Sequence, residues 1–156
     1  MVPFVLNATS SIGSWGVEGT DQGITRIFMP GERRPTSRGV APKPVAEGAL
    51  QLEEYFRGAR RRFDVTLAAA PATAFQRDVW DALCEIPFGQ VRTYGDVARA
   101  TNRPRATRAV GNANHANPWP IVVPCHRVVS ASGFGGYGGG EAVKRFLLDL
   151  EGVHYP

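Results

Sequence analysis

The sequence predicts a mixed α/β (α+β) protein. A small N-terminal α/β domain with an antiparallel sheet is expected to pack on a mostly helical C-terminal domain that contains a helix-turn-helix. Three observations carry this prediction. Short β-type runs punctuated by glycines occupy the first part of the chain. Apolar residues recur at helical spacing through most of the second part. The texture changes near residue 70, which divides the 156 residues into domains 1–70 and 71–156.

In the first domain, Phe4 to Leu6 and Ile24 to Phe28 read as strands, with Gly13, Gly16, Gly19 and Gly23 as turn punctuation. Met29 to Pro44 contains Pro30, Pro35, Pro42 and Pro44 and reads as a loop. Val45, Ala49, Leu52 and Phe56 recur at four, three and four residues, the stripe of an amphipathic helix. Phe63 to Leu67 reads as a further strand. No residue pattern in this half carries chemistry.

In the second domain, Phe75, Val79 and Leu83 mark a helix that ends before the turn Ile86-Pro87-Phe88-Gly89. A short helix over Gly95 to Ala100 and another after Asn102-Arg103-Pro104, with Ala109, Val110 and Ala113 on its buried side, suggest a helix-turn-helix. Ile121-Val122-Val123 and Val128-Val129 are β-type runs on either side of Pro124-Cys125-His126-Arg127. A glycine-rich loop from Ser132 to Gly140 follows. Val143, Phe146, Leu147 and Leu150 then give the last helix its apolar face.

Composition sets the class. Hydrophobic residues make up 43% and charged residues 21%, which excludes extensive disorder. The net charge of +4 suits nucleic acid without demanding it. All eighteen basic residues except Lys43 and Lys144 are arginines. Six of them (Arg92, Arg99, Arg103, Arg105, Arg108 and Arg127) lie in a segment whose single acid is Asp96, as a phosphate-binding surface requires. The run Arg57 to Arg62 lies outside that segment and fits a general bias toward arginine. Two cysteines and three histidines without ligand spacing argue against a disulfide framework and a zinc site. The N-terminus has neither a basic leader nor a long apolar run, so a cytoplasmic protein is expected, associated with the nucleoid or, in a eukaryote, nuclear.

Cys125 is the centre of the chemistry. A thiol attacks only as thiolate, and an adjacent imidazole can take its proton, directly or through water. A carboxylate can then orient that imidazole and stabilise its charge. His126 follows Cys125, and Glu151 at the end of the last helix is the candidate carboxylate. Cys84, by contrast, reads as packed within a helix, and Trp80 and Trp119 as core. His115 ends the second helix of the pair, and His154 reads as solvated.

From about Phe75 to Gly152 the chain resembles the O6-alkylguanine-DNA alkyltransferases, the methylated-DNA–protein-cysteine methyltransferases. The matching segments are Ile121 to Val128 with its proline-cysteine-histidine-arginine core, Arg108-Ala109-Val110-Gly111, Asn117-Pro118, Tyr94, Tyr137 with its glycines, and Leu147-Leu148 leading to Glu151-Gly152. The resemblance implies direct, stoichiometric and irreversible transfer of an alkyl group from O6-alkylguanine, and from O4-alkylthymine in a broader range, onto Cys125. In its terms His126 and Glu151 form a relay through water, Asn117 hydrogen-bonds the turn carrying Cys125, and Tyr94 donates to the departing guanine. The main chain at Cys125 and Val128 reads the guanine edge, and Tyr137 with Gly138 walls the pocket. Arg108 replaces the extruded base, on a helix whose Arg105, Ala109 and Gly111 face the duplex.

Base extrusion is what the reaction demands, because O6 lies inside the stack. A thioether has no good leaving route, so the protein is consumed and no cofactor is needed; no metal is expected, and the partner expected is double-stranded DNA, bound by a monomer. The loop before Tyr137 is one residue shorter than the family's usual spacing, and Gly138 stands where serine or alanine is common. Two alternatives stand beside this reading: a non-catalytic alkylated-DNA sensor or regulator of the same fold, and a cysteine hydrolase using Cys125 and His126.

Overall fold

The computed structural model describes residues 2–154 and divides into two compact units, one up to Ala70 and one from Pro71 onward. Both strands and helices are present, as a mixed α/β class requires.

The first unit is an antiparallel meander of β1 (Phe4–Ser10), β2 (Gly13–Thr20) and β3 (Gly23–Phe28), covered by α1 (Lys43–Phe56). Strand β2 replaces what the sequence presented as glycine-rich turns. Its glycines serve close approach as well as turning: a Cβ on Gly19 would sit 2.5 Å from the carbonyl oxygen of Gly23. Trp15, Val17 and Ile24 from the sheet and Val45, Ala49 and Leu52 from the helix form the core. Tyr55 is buried where the sequence stripe named Phe56, which is half-buried. The helix starts earlier than expected, with Pro44 in its first turn, where a missing N–H costs no hydrogen bond.

The expected strand over Phe63 to Leu67 is reduced to one bridge between Ile24 and Leu67. The physical reason is Gln51. Its side chain donates to the Asp64 carbonyl at 2.9 Å and accepts from the Asp64 amide at 2.8 Å, taking the place of a neighbouring strand.

The second unit holds α2 (Ala74–Cys84), α3 (Tyr94–Ala100), α4 (Thr107–His115) and α5 (Glu141–Leu150). Two capping boxes fix the first two starts, Thr73 with Gln76 and Thr93 with Asp96. Helices α3 and α4 are joined by a tight turn through Asn102, whose φ of 59° is left-handed. Val79, Leu83, Val97, Val110 and Leu147 are buried between the helices, and Trp80 stacks edge-on against Trp119 at 5.7 Å. On α4, Ala109 is only half-buried, and Asn114 joins Val110 and Ala113 on the buried side.

A short parallel pair, β4 (Arg92–Thr93) and β5 (Val128–Val129), matters most for the site. Val128 follows the Cys125 turn directly, and Thr93 is the N-cap of the helix that begins with Tyr94. Pairing these two dipeptides brings Tyr94 to the cysteine turn.

The expected strand at Ile121 to Val123 does not form. Prolines at 118, 120 and 124 flank the segment, Ile121 takes a φ of 76°, and the Val123 N–H is turned to the Trp119 carbonyl at 2.9 Å. Cys125 instead opens a 3-10 turn, Cys125–Arg127, which β5 follows.

Candidate active site

The turn Cys125–Arg127 is packed by α5, and Glu151, the C-cap of that helix, reaches back beneath it. His126 Nε2 lies 2.7 Å from Glu151 Oε2, with both side chains fully buried. An ionised carboxylate only accepts, so Nε2 carries the proton it donates, and Nδ1 keeps a lone pair. That Nδ1 is buried and has no hydrogen-bond partner among the described residues. Burial pushes the imidazole below its ordinary value, with Glu151 opposing and Arg127 and Lys144 reinforcing, so His126 is neutral at physiological pH. The result is a desolvated base with its accepting nitrogen unoccupied.

The sequence groups Arg127 with the arginines of a phosphate-binding segment, and the structure corrects this. It is buried, with Nε 2.8 Å from Glu151 Oε1 and a terminal nitrogen 3.0 Å from Oε2, and its other terminal nitrogen donates to the Ile86 carbonyl at 2.7 Å. Gly89 N–H adds a bond to Oε1 at 3.3 Å. Burial alone raises a carboxyl, but His126 and Arg127 together outweigh it and hold Glu151 well below the usual carboxylate range. Nothing in the local sequence separates Arg127 from a surface arginine except its place in the motif.

Cys125 is itself buried, 4% exposed. Burial raises its thiol, while hydrogen bonding from Asn117 and Tyr137 and the charge of Lys144 pull it down without reversing the shift. The resting group is therefore the thiol, and ionisation requires that its proton be taken. The Tyr137 hydroxyl lies 3.8 Å from Sγ, so the glycine-rich loop brings Tyr137 to the sulfur. Asn117 Nδ2 donates to the Val123 carbonyl at 2.8 Å and Oδ1 accepts from Trp119 N–H at 2.9 Å, bracing the chain just before Cys125.

The loop from Ser130 to Gly140 closes over this centre. Tyr94 donates its hydroxyl to the Gly136 carbonyl at 3.3 Å, and burial and the nearby Cys125 keep that hydroxyl protonated. Lys144, to which the sequence assigns no role, is fully buried. Its Nζ donates to Val128 O at 2.6 Å and Gly136 O at 3.3 Å, and burial lowers it to about 8. The available signal was that it is one of only two lysines in an arginine-rich chain. Gly138 packs on His115, 3.4 Å from where its Cβ would stand.

The remaining candidates lie on the exposed side of the helix pair. Arg105 and Arg108 are exposed near the start of α4 and form no ion pair among the described residues. Gly111 is half-buried, with Tyr94 at 4.0 Å from its Cβ position. Arg99 pairs with Asp96 and Arg103 with Asp78. Cys84 is exposed, against the expectation of packing. Partial cover of its sulfur, and after it the charges of Asp81 and Glu85, raise its thiol, which disfavours the thiolate. Among the described residues no group of histidine, cysteine and carboxylate side chains is placed to hold a metal, and no helix is long and apolar enough to cross a membrane.

Comparison with known proteins places this geometry among relatives. Residues 74–153 match the family described as 6-O-methylguanine DNA methyltransferase, DNA binding domain. The methylated-DNA–protein-cysteine methyltransferase of Methanosarcina acetivorans is 45% identical over 148 residues, covering 92% of this chain and 94% of that one. That of Methanosarcina mazei is 55% identical over 138 residues, 85% of this chain and 87% of the other. The crystal structure of a Mycobacterium tuberculosis homologue in complex with DNA superposes with a TM-score of 0.83 at 40% identity, over 97% of this chain and 93% of that one.

Proposed function

The chain belongs to the methylated-DNA–protein-cysteine methyltransferase family and is a DNA-repair alkyltransferase, and from that premise we propose which of its residues perform the transfer. Cys125 is the acceptor. Its proton passes, directly or through a water, to His126 Nδ1, while Nε2–H of the same ring donates to Glu151. The thiolate attacks the alkyl carbon in line, the carbon–O6 bond breaks, and its electrons leave with guanine. Tyr94 gives a proton or hydrogen bond to that leaving group, and the proton held by His126 restores the balance. The products are a thioether at Cys125 and an unmodified guanine, and the protein does not turn over.

The observation that carries this assignment is the buried neutral imidazole, locked by Glu151 at 2.7 Å with its Nδ1 lone pair unoccupied, on the residue that follows a protonated thiol. A thiol that is not ionised at rest needs such a base. O6-alkylguanine in duplex DNA is the substrate in this reading. The nucleotide is everted, Arg108 of α4 fills the gap, and Arg105, Ala109 and Gly111 lie along the groove. Tyr137 and Gly138 wall the pocket with the main chain at Val128, and Asn117 holds the turn. The unit from Pro71 onward binds DNA and carries the reaction, with the unit up to Ala70 as scaffold; the protein works as a monomer at the chromosome.

The test is intact-protein and peptide mass spectrometry after incubation with a duplex bearing O6-methylguanine. One methyl mass on the peptide containing Cys125 is expected, stopping at one equivalent and absent from Cys125→Ala. No adduct, or an adduct on Cys84, sinks the assignment, and repeated turnover would show a hydrolase instead.

A further inference from the structure

On the alkyltransferase reading, the site must grip a base whose hydrogen-bonding edge has been altered. Alkylation at O6 removes the N1 proton of guanine, so the exocyclic N2 amine is the one donor left on that edge. O4-alkylthymine has lost its N3 proton in the same way and carries no amine. A buried acceptor beside the nucleophile therefore separates the two lesions.

Asn114 supplies one. It lies on α4, 8% exposed, and its Nδ2 donates to the backbone carbonyl of Cys125 at 3.0 Å. That bond fixes the orientation of the amide, because a carbonyl oxygen has no proton to offer another carbonyl. Oδ1 is bonded to the same carbon as Nδ2 and is thereby held close to the nucleophile's own residue. It is buried and has no hydrogen-bond partner among the described residues. The other buried atom in the same condition, His126 Nδ1, is also an acceptor, so the two cannot satisfy each other. A buried carbonyl oxygen without a donor is a cost that folded proteins rarely accept outside a functional site.

We infer that Asn114 is a specificity-determining residue, its Oδ1 accepting N2–H of the everted O6-alkylguanine beside the Cys125 carbonyl. The bond from Nδ2 serves to aim Oδ1 and to steady the turn. Guanine adducts are thereby favoured over adducts of bases without the amine.

The experiment compares single-turnover transfer from duplexes bearing O6-methylguanine and O6-methylhypoxanthine, which differ only in the N2 amine. Wild type, Asn114→Leu (the same branched shape without polar atoms) and Asn114→Ala are measured, with thermal melts to establish folding. Wild type is expected to prefer the guanine adduct, and both variants to lose about tenfold of that preference, the factor equivalent to one net hydrogen bond. A role confined to folding slows both substrates alike, so an unchanged ratio overturns the inference. A wild-type ratio near one overturns it whether or not the variants fold. Absence of any methyl adduct from either duplex in wild type would instead reject the alkyltransferase assignment on which the inference rests.

Discussion

His126 Nε2 and Glu151 Oε2 lie 2.7 Å apart, wholly out of solvent, and join the cysteine turn to the end of α5 across 25 residues of chain. The same carboxylate takes two bonds from Arg127. One acid thus orients the base and neutralises a buried guanidinium, so its loss is read in both stability and rate.

Glu151→Gln keeps the size and one acceptor but removes the charge. Arg127 is then a buried cation without a counter-ion, which costs about 3–5 kcal/mol. The melting temperature falls accordingly. The transfer rate in the surviving folded protein drops about 10²- to 10⁴-fold, the usual range for loss of an oriented base. A stable, fully active variant contradicts the assignment.

The pH dependence follows from the directions of the shifts. His126 is held below 6.5 in the folded protein, so it remains an unprotonated base as pH falls through 6.5 and the transfer rate drops only at more acid pH. Unfolded His126 binds its proton first. Stability therefore declines with acidification, beginning near pH 6.5 and ending once the folded imidazole is also protonated. Glu151 adds a second loss of the same sign: its contribution is full above pH 4.5 and disappears as pH falls through its lower folded value. Denaturant titrations from pH 8 to pH 3 and single-turnover rates over the same range test both limbs.

Tyr94→Phe removes the hydroxyl proposed to assist the leaving group and, with it, a bond to the Gly136 carbonyl. Transfer slows about 10²-fold, as when one preorganised donor is deleted. Stability changes little, because that bond joins α3 to an exposed loop. A large loss of melting temperature with normal transfer would show that the hydroxyl serves only the loop.

Two glycines of the loop respond differently to alanine. Gly135 has a φ of 79°, and its Cβ would stand 3.1 Å from both Ser130 N and the Tyr94 hydroxyl, so Gly135→Ala costs about 1–3 kcal/mol in strain and slows transfer. Gly138→Ala meets only the His115 ring at 3.4 Å and stays within about 0.5 kcal/mol of wild type. Melting curves of the two variants should diverge.

Arg108→Ala tests the helix pair. The side chain is exposed and forms no ion pair among the described residues, so folding is unaffected. Transfer from duplex DNA slows, whereas reaction with the free O6-methylguanine base does not, because no nucleotide need be extruded. Equal slowing on both substrates excludes a role in eversion.

Local pattern determined much of this protein. Helical spacing located α1, α2, α4 and α5, and residue type singled out His126 and Glu151, which meet in the structure. These are properties of short segments, written in periodicity and residue type. Tertiary structure decided what depends on distant partners. Gln51 occupied the backbone of Asp64 and left no strand there, and glycines that resemble turns became β2 once β1 and β3 paired on either side. Whether a charged or polar side chain faces water or the interior was equally illegible, since Arg127, Lys144 and Asn114 sit in stretches that also suit a surface. Their burial follows from the β4–β5 pairing and the packing of α5, which bring carbonyls and a carboxylate from remote parts of the chain to meet them. Hydrogen-bond satisfaction is settled only in three dimensions.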